Sequence, residues 1–309
     1  MTDFGNTAPT PHRSVERNSK GECETEPTLH RIVAENAEIL CREYAGPGPC
    51  LMLLPSNGAN GGTFAGLVKA GLQREFRLMI PEVVGVRRPI APHRYFDASC
   101  RDLLAILDFL ELDTVALGGH SIGALQALYF AANHPERVEK LILLEACNAM
   151  ARPALSCVDC ALLESASPRV PPSHFRRLFS MSPFAATWYA ELKMFIEEDL
   201  GEDFLPWMRR DAPDGAEAGA NDIIKVARRK NWVDYGAHIR ASRLDTISIK
   251  ARNPMPADIP APGIESAAGL EDILAAHTVE VPGNHITMLT GQGAIRTVQA
   301  IGTWNLARR

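Results

Sequence analysis

The chain has 309 residues, of which 46% are hydrophobic and 22% are charged, and its net charge is -5 at pH 7. The length accommodates one large α/β domain with an insertion, and the negative balance argues against a nucleic-acid partner. No apolar run reaches the roughly 18 residues that a membrane span needs. The N-terminus lacks the apolar stretch of a secretory signal and the cysteines number seven, so we expect reduced thiols and a cytoplasmic location.

Residues 1–27 are polar and are predicted to form a disordered tail. After the tail, short apolar or alternating runs bounded by turn residues indicate strands. The predicted strands are Leu29–Ala34, Glu38–Tyr44, Cys50–Leu54, Phe76–Ile80, Thr114–Leu117, Leu141–Leu144, Thr246–Ala251 and His277–Val281. The predicted helices are Thr63–Leu72, Asp97–Leu110, Ile122–His134, Ile264–Ala276 and Ala294–Leu306. Asp97 stands where an aspartate can cap the second of these helices.

Strands and helices alternate over residues 50–146 and again after residue 244, and we assign residues 28–146 and 245–309 to one core. This order predicts an α/β core with a mostly parallel sheet and helices on both faces. Between residues 147 and 244, helical stretches and loops occur without a convincing strand. We therefore expect an inserted helical cap over residues 147–244.

A G-x-S-x-G motif, Gly119-His120-Ser121-Ile122-Gly123, lies between a predicted strand and a predicted helix. This is the context of a nucleophile elbow, a tight and strained turn that lifts a serine hydroxyl above the sheet at a helix N-terminus. Glycines two residues before and after the serine allow the strand and the helix to approach each other. An ordinary glycine-rich turn is the alternative, and the combined pattern predicts that Ser121 is a nucleophile.

A serine hydroxyl is too weak an acid to react without a base. His285 follows the last predicted strand, in Val281-Pro282-Gly283-Asn284-His285. Because ligands gather outside the carboxyl ends of parallel strands, this loop opens on the same edge of the sheet as Ser121. We predict that His285 is the general base. The other histidines considered lie beside the serine, at a helix end or in the predicted cap, and suit this role less well.

The elbow followed by ALQALYFAANHPERVEKLILLEA, together with the terminal VEVPGNHITML, resembles the α/β-hydrolase superfamily over nearly everything from residue 28 onward. The resemblance implies the α/β-hydrolase fold and a catalytic triad in the order serine, acid, histidine. It also implies an oxyanion hole of two backbone N–H groups. One is the N–H of Ile122, and the other is the N–H of Asn57, just past a predicted strand. Family members usually carry His-Gly there, whereas this chain has Pro55-Ser56 before Asn57.

Three residues compete for the role of the acid. Most superfamily members place it after the strand that follows the cap, where this chain has Asn253 and, five residues on, Asp258. An asparagine can orient a histidine but cannot stabilise imidazolium by charge. Glu145 ends the strand before the cap, 24 residues after Ser121, and this spacing resembles zearalenone-type lactonases and one subgroup of haloalkane dehalogenases. We predict Glu145 as the acid and Asp258 as the alternative, and a structural role for Glu145, capping nearby backbone, stays open.

Large aromatic residues are concentrated in the predicted cap, which holds three of the four tryptophans. Such a lid suggests a bulky apolar substrate, although packing of the cap on the core accounts for many single residues equally well. The residues predicted to bind the substrate are Trp188, Tyr189, Trp207 and Met208.

These features predict a serine hydrolase that cleaves a carboxylic ester or lactone by two-step acyl transfer. A serine in place of an aspartate nucleophile argues against halide displacement. No G-x-G-x-x-G follows the first strand and no ligand cluster indicates a metal, so no cofactor or metal is expected. An acyl thioesterase, a C–C bond hydrolase and a ligand receptor with a retained triad remain alternatives. The expected partner is a small apolar ester or lactone, without nucleic acid or membrane, and the oligomeric state stays open, a homodimer included.

Overall fold

The structure, a computed structural model of the chain, describes residues 26–55, 61–86, 90–146, 232–252, 276–283 and 287–306, together with residues 226, 227, 230 and 274. Within these residues eight strands form one sheet: β1 (Thr28–Val33), β2 (Ala37–Tyr44), β3 (Cys50–Leu54), β4 (Arg77–Val86), β5 (Val115–His120), β6 (Val138–Leu144), β7 (Asp245–Ala251) and β8 (His277–Val281). The α-helices are α1 (Ala65–Lys69), α2 (Tyr95–Phe109), α3 (Ile122–Asn133), α4 (Trp232–Ser242) and α5 (Gly291–Leu306).

The strands lie in the order β1-β2-β4-β3-β5-β6-β7-β8. β2 pairs antiparallel with β1 and with β4, and all other pairings are parallel. The predicted mostly parallel sheet is thereby confirmed, and β1 and β2 form a hairpin at its edge. Because β3 and β5 to β8 run in one direction, their C-terminal ends line one edge of the sheet. This edge carries the candidate site.

Helices cover both faces of the sheet. On one face, α2, α3 and α4 contribute Phe96, Leu128 and Trp232 to a buried apolar cluster. On the other face, α1 and α5 contribute Leu67 and Ile301 to a second cluster. Each such side chain stabilises the fold by about 1.5–3 kcal/mol when fully buried. The central helix α3 is buried along most of its length, so the turn at its N-terminus has a rigid base.

β4 is longer than the predicted strand Phe76–Ile80, since it runs over Arg77–Val86. Beyond Met79 it pairs with β2 alone, because its parallel pairing with β3 ends there. A proline is tolerated in a strand where no neighbour needs its missing N–H. Pro81 therefore does not end the strand, although it is a strong strand breaker when the sequence is considered alone.

The prediction that Asp97 is the N-cap residue of α2 is wrong. α2 begins at Tyr95, directly after a 3₁₀ turn at Pro92–Arg94, so Asp97 lies inside the first helical turn. Its carboxylate instead accepts a hydrogen bond of 2.5 Å from the hydroxyl of Tyr129 on α3. Asp97 thus connects α2 to α3 rather than capping the N-terminus of α2.

The predicted tail up to residue 25, the predicted cap up to residue 225 and most of the predicted helix Ile264–Ala276 lie outside the described residues, and they stay predictions. Within the range predicted as cap, α4 packs on the core through Trp232 and Ile239. In the part of the chain that the structure describes, no helix combines the length and apolar character needed to cross a membrane. The cysteines described there, Cys41, Cys50 and Cys100, are free thiols.

Candidate active site

Ser121 occupies a strained turn between β5 and α3. Its backbone has φ 56° and ψ -119°, a conformation that costs a non-glycine residue about 1–3 kcal/mol. The Ser121 N–H donates to the carbonyl oxygen of Leu144 on β6, at 3.0 Å, and the residue is 7% exposed. The turn therefore has the geometry that a nucleophile elbow requires.

Both glycines of the motif are needed because neighbouring backbone atoms lie too close to them for a side chain. A methyl group on Gly119 would lie 2.4 Å from the carbonyl carbon of Gly123. A methyl group on Gly123 would lie 2.2 Å from the carbonyl oxygen of Leu54, the last residue of β3. Real Cβ atoms do not come so close to backbone atoms. The first turn of α3 is therefore pressed against the end of β3, the strand that precedes Asn57.

Ile122 is the first residue of α3. The first N–H groups of an α-helix have no acceptor within the helix, and the helix dipole makes this end partly positive. An oxyanion formed next to Ser121 would therefore lie in a favourable field. This is the arrangement that the predicted donor Ile122 requires.

Glu145 lies at the end of β6, one strand away from Ser121. His120 and Leu144 are partners in the parallel register, so Ser121 and Glu145 are the next residues on strands about 4.8 Å apart. Glu145 also has positive φ, 45°, and its N–H donates to the carbonyl oxygen of Ile249 at 2.9 Å. Two residues with positive φ thus stand side by side at the C-terminal edge of the parallel strands.

The Glu145 carboxylate is directed toward β7. Glu145 is 7% exposed, and its Oε1 accepts a hydrogen bond of 2.6 Å from the N–H of Ala251, the last residue of β7. Because β6 and β7 lie between β5 and β8, the carboxylate lies between the serine and the strand that precedes His285. The acceptor role toward Ala251 also fits the structural alternative for Glu145, and both roles are compatible at one carboxylate.

The chain on each side of His285 is tightly packed. Gly283 follows β8 with φ 104°, and a methyl group on it would lie 2.7 Å from Thr287 Oγ1. The buried Thr297 of α5 donates its hydroxyl to the carbonyl oxygen of Met288 at 2.9 Å. Gly283 and Thr287, the described residues on either side of residues 284–286, are therefore close neighbours.

Several predicted site residues lie outside the described residues, and their roles stay predictions. They are Asn57, Trp188, Tyr189, Trp207, Met208, Asn253, Asp258 and His285. Ser121, Ile122 and Glu145 are described, and the fold brings all three to one edge of the sheet.

The structure adds two features that the sequence did not reveal. The first is the backbone N–H of Ala251 as a partner of Glu145, and no side-chain pattern could have indicated it. The second is Glu82 in the middle of β4, whose Oε2 accepts from the N–H of Gly61 at 2.5 Å and lies 2.7 Å from Arg42 Nη1. The available signal for Glu82 was a carboxylate two residues after the predicted apolar strand Phe76–Ile80.

The described thiols are poor candidates for a nucleophile. Burial raises the pKa of Cys41 to about 12, that of Cys50 to about 11 and that of Cys100 to about 12. Such thiols stay protonated at neutral pH, and the thiolate is the reactive form. Among the described residues, no group of three His, Cys, Asp or Glu side chains is arranged to hold a metal ion.

Comparison with known proteins agrees with this geometry. Residues 49–162 match the family model described as alpha/beta hydrolase fold. A 2-hydroxy-6-oxo-2,4-heptadienoate hydrolase of Pseudomonas putida is 36% identical over 124 residues, which are 39% of this chain and 41% of that protein. An uncharacterised protein of Mycobacterium tuberculosis is 34% identical over 107 residues, 33% of this chain and 30% of its own length. The matched part of the chain thus spans less than half the length of these curated relatives.

Solved structures match most of the chain. A thermophilic esterase from Thermogutta terrifontis has a TM-score of 0.61 at 18% identity and covers 91% of this chain and 98% of its own. An enol-lactonase from Burkholderia xenovorans has a TM-score of 0.60 at 17% identity and covers 88% of this chain and 98% of its own. At these identities the likeness concerns the fold. The chain has the α/β-hydrolase fold, and the family match supports a place in that superfamily.

Proposed function

We propose that the chain is a serine hydrolase that forms an acyl-enzyme on Ser121 and cleaves a carboxylic ester or lactone. The observation that carries the proposal is the strained, buried turn of Ser121 beside the buried Glu145. Strain of this kind persists where the surrounding fold enforces it, and it clusters at active sites. An ordinary strand-to-helix turn needs neither a serine with positive φ nor a buried carboxylate on the next strand.

In the first step the Ser121 oxygen attacks the carbonyl carbon while His285 accepts the hydroxyl proton. The N–H groups of Asn57 and Ile122 donate hydrogen bonds to the resulting oxyanion. The intermediate collapses, and the leaving alkoxide takes the proton from His285; in a lactone it stays attached to the acyl chain. His285 then removes a proton from water, which attacks the ester carbon. Release of the carboxylic acid returns the proton to Ser121.

Glu145 is the acid in this proposal. Its carboxylate lies 2.6 Å from the backbone nitrogen of Ala251, at the end of the strand after which most superfamily members carry their acid. A long side chain starting from β6 thus delivers a carboxylate to the end of β7. There it can accept from the ring N–H of His285, fix the tautomer and stabilise imidazolium. Asp258 is the alternative acid, and Asn253 is a weaker one.

The substrate in this proposal is bulky and apolar, and a lactone of the kind that zearalenone-type lactonases open is a specific candidate. The Glu145 position supports the lactonase resemblance. The concentration of aromatic residues in the sequence of the predicted cap supports the apolar substrate, with Trp188, Tyr189, Trp207 and Met208 as contacts.

A C–C bond hydrolase is the second candidate function. The relative from Pseudomonas putida is named for a 6-oxo-dienoate, which has no ester, so its hydrolysis must break a carbon–carbon bond. Such a reaction can use the same serine and histidine on the same fold. The two candidates differ in the bond that is broken, and a substrate comparison separates them.

The test is a panel of p-nitrophenyl esters, acyl-CoAs, macrolactones and a 2-hydroxy-6-oxo-dienoate, each assayed with the wild-type chain and with Ser121→Ala. We expect repeated turnover of an ester or macrolactone that Ser121→Ala abolishes. Preferred cleavage of the dienoate would favour the C–C hydrolase, and preferred cleavage of acyl-CoAs would favour a thioesterase. A single turnover with retained product would favour a receptor. Turnover that is unchanged in Ser121→Ala would refute the proposal.

A further inference from the structure

A groove of about 800 Å³ lies between α5 and β8, the last strand of the described sheet. Small-molecule sites commonly have volumes of about 300–1,000 Å³. The residues that α5 contributes are three or four positions apart and so share one face of the helix: Arg296, Gln299, Ala300, Thr303 and Trp304. From β8, the alternate residues His277, Val279 and Val281 share one face of the strand. One face of each element therefore forms the groove.

Two arginines line the same end of this groove. Arg252 directly follows β7, and its backbone N–H donates to the carbonyl oxygen of Val281, the last residue of β8, at 2.8 Å. Arg296 lies three residues after Gly293, where an added methyl group would be 3.0 Å from the carbonyl oxygen of Pro282. Both side chains therefore start beside the C-terminal end of β8.

The rest of the groove is mainly apolar. Val279 and Ala300 line it as partly buried side chains, and Trp304 lines it with only 4% of its surface exposed. The indole of Trp304 lies toward the opposite end, because its ring centroid is 5.2 Å from Nζ of Lys140, which is near the start of β6. The helical stretch from Arg296 to Trp304 is about 12 Å long. The groove thus has a cationic end and an apolar body.

The charge of the groove favours an anion. With His277 neutral, its described lining carries the positive charges of Arg252 and Arg296 and one negative charge, that of Glu280, although the whole chain has a net charge of -5. Among the described residues, no carboxylate is ion-paired with either arginine. Nη1 of Arg296 donates to Oε1 of Gln299 at 3.0 Å, a neutral partner that leaves further N–H groups of the guanidinium to donate.

We infer that this groove binds an amphipathic carboxylate. The two guanidinium groups hold the carboxylate, since their planar fork of donors matches its two oxygens. The apolar body of the ligand lies against Val279, Ala300 and Trp304. This site is distinct from Ser121, because β6 and β7 lie between β5 and β8, which places the two about 14 Å apart across the sheet. The inference goes beyond the proposed function and depends on no step of it.

The test is calorimetric titration of the full chain with decanoate. Arg252→Gln and Arg296→Gln should each raise the Kd about 3- to 10-fold, because each removes one charge-assisted contact in a partly solvated site. Ala300→Glu places a negative charge in the apolar part of the groove and should raise the Kd by more than about tenfold. Arg240→Gln is the matched control, since Arg240 is an exposed arginine on α4, and its Kd should stay within about 1.5-fold of wild type.

Three changes of ligand or medium separate the two parts of the site. Decyltrimethylammonium has the same alkyl chain with a positive head, and it should bind at least about tenfold more weakly than decanoate. Acetate lacks the apolar body and should bind at least about 100-fold more weakly. Raising the salt concentration to about 1 M should weaken decanoate binding, because it screens exposed charges.

Absence of decanoate binding to the wild-type chain overturns the inference. This is the result expected if a second copy or other residues of the same chain fill the groove, and sedimentation would identify a second copy as a dimer that Ala300→Glu dissociates. Binding that Arg252→Gln and Arg296→Gln both leave unchanged also overturns it, because decanoate would then lie elsewhere, the catalytic site included. These two exposed substitutions keep the test decisive if Ala300→Glu does not fold. Calorimetry records binding without turnover, so the result stands whether or not Ser121 is a nucleophile.

Discussion

Glu145→Gln tests the acid with almost no change in shape. In the wild type, Oε1 accepts from the Ala251 N–H at 2.6 Å, and a glutamine oxygen can keep this bond. The second terminal atom then becomes an NH₂ group, which cannot accept a proton from an imidazole N–H. His285 would be left in the wrong tautomer and its cation without a partner. Loss of the acid in such a triad lowers kcat by up to about 10⁴-fold, which is about 5 kcal/mol.

The fold should tolerate this change. The bond to Ala251 becomes neutral rather than charge-assisted, so we expect a loss of stability of about 1 kcal/mol. The assay is kcat on p-nitrophenyl butyrate at pH 7.5 together with thermal unfolding. Asp258→Asn is the matched control and should cost less than about tenfold, or about 1.4 kcal/mol. If Asp258→Asn loses more activity than Glu145→Gln, Glu145 is structural and the lactonase resemblance loses its main support.

Three further changes follow from the same geometry. Ser121→Ala and His285→Ala should each abolish most turnover on p-nitrophenyl butyrate, with the double variant little worse, because the triad acts as a unit; near-native activity of either would contradict the assignment. Gly123→Ala should lower stability by about 1–3 kcal/mol and impair activity, because its methyl group would lie 2.2 Å from the end of β3, whereas Gly85→Ala, with its nearest contacts at 3.4 Å, should be mild in thermal unfolding. Burial raises the pKa of Asp102 to about 6, so the folded state binds more protons than the unfolded state and stability should fall by at most about 3 kcal/mol from pH 4 to pH 7. Asp102→Asn should flatten that part of the denaturation profile.

The parts of the fold that the sequence predicted well are those with one dominant local signal. β3 and β8 match their predicted bounds: β3 lies between Pro49 and Pro55, and β8 is followed by Pro282 and Gly283. The extension of β4 past Ile80 was not predicted, because it depends on β2 being the sole partner of Pro81. Strand pairing is a tertiary property, and no window of the sequence contains it.

In the candidate site, too, the sequence predicted the local feature and not the contact between distant residues. Ser121 and its two glycines form a local motif, so the elbow could be predicted from a five-residue pattern. The choice among Glu145, Asp258 and Asn253 could not, because it depends on where a side chain from β6 ends relative to β7. The 2.6 Å contact between Glu145 and the backbone of Ala251 is a relation between residues 106 positions apart.

Backbone strain gives the last reason to treat Ser121 and Glu145 as one site. In the described part of the chain, the non-glycine residues with positive φ are Glu111, Ser121, Glu145 and Arg243. Glu111 and Arg243 are exposed and directly follow the last turns of α2 and α4, where a left-handed residue is an ordinary way to end a helix. Ser121 and Glu145 are buried, and each directly follows a strand rather than a helix. Helix termination does not account for them. A buried serine and a buried glutamate thus adopt positive φ at adjacent positions of the sheet, and this arrangement fits the proposed nucleophile and acid.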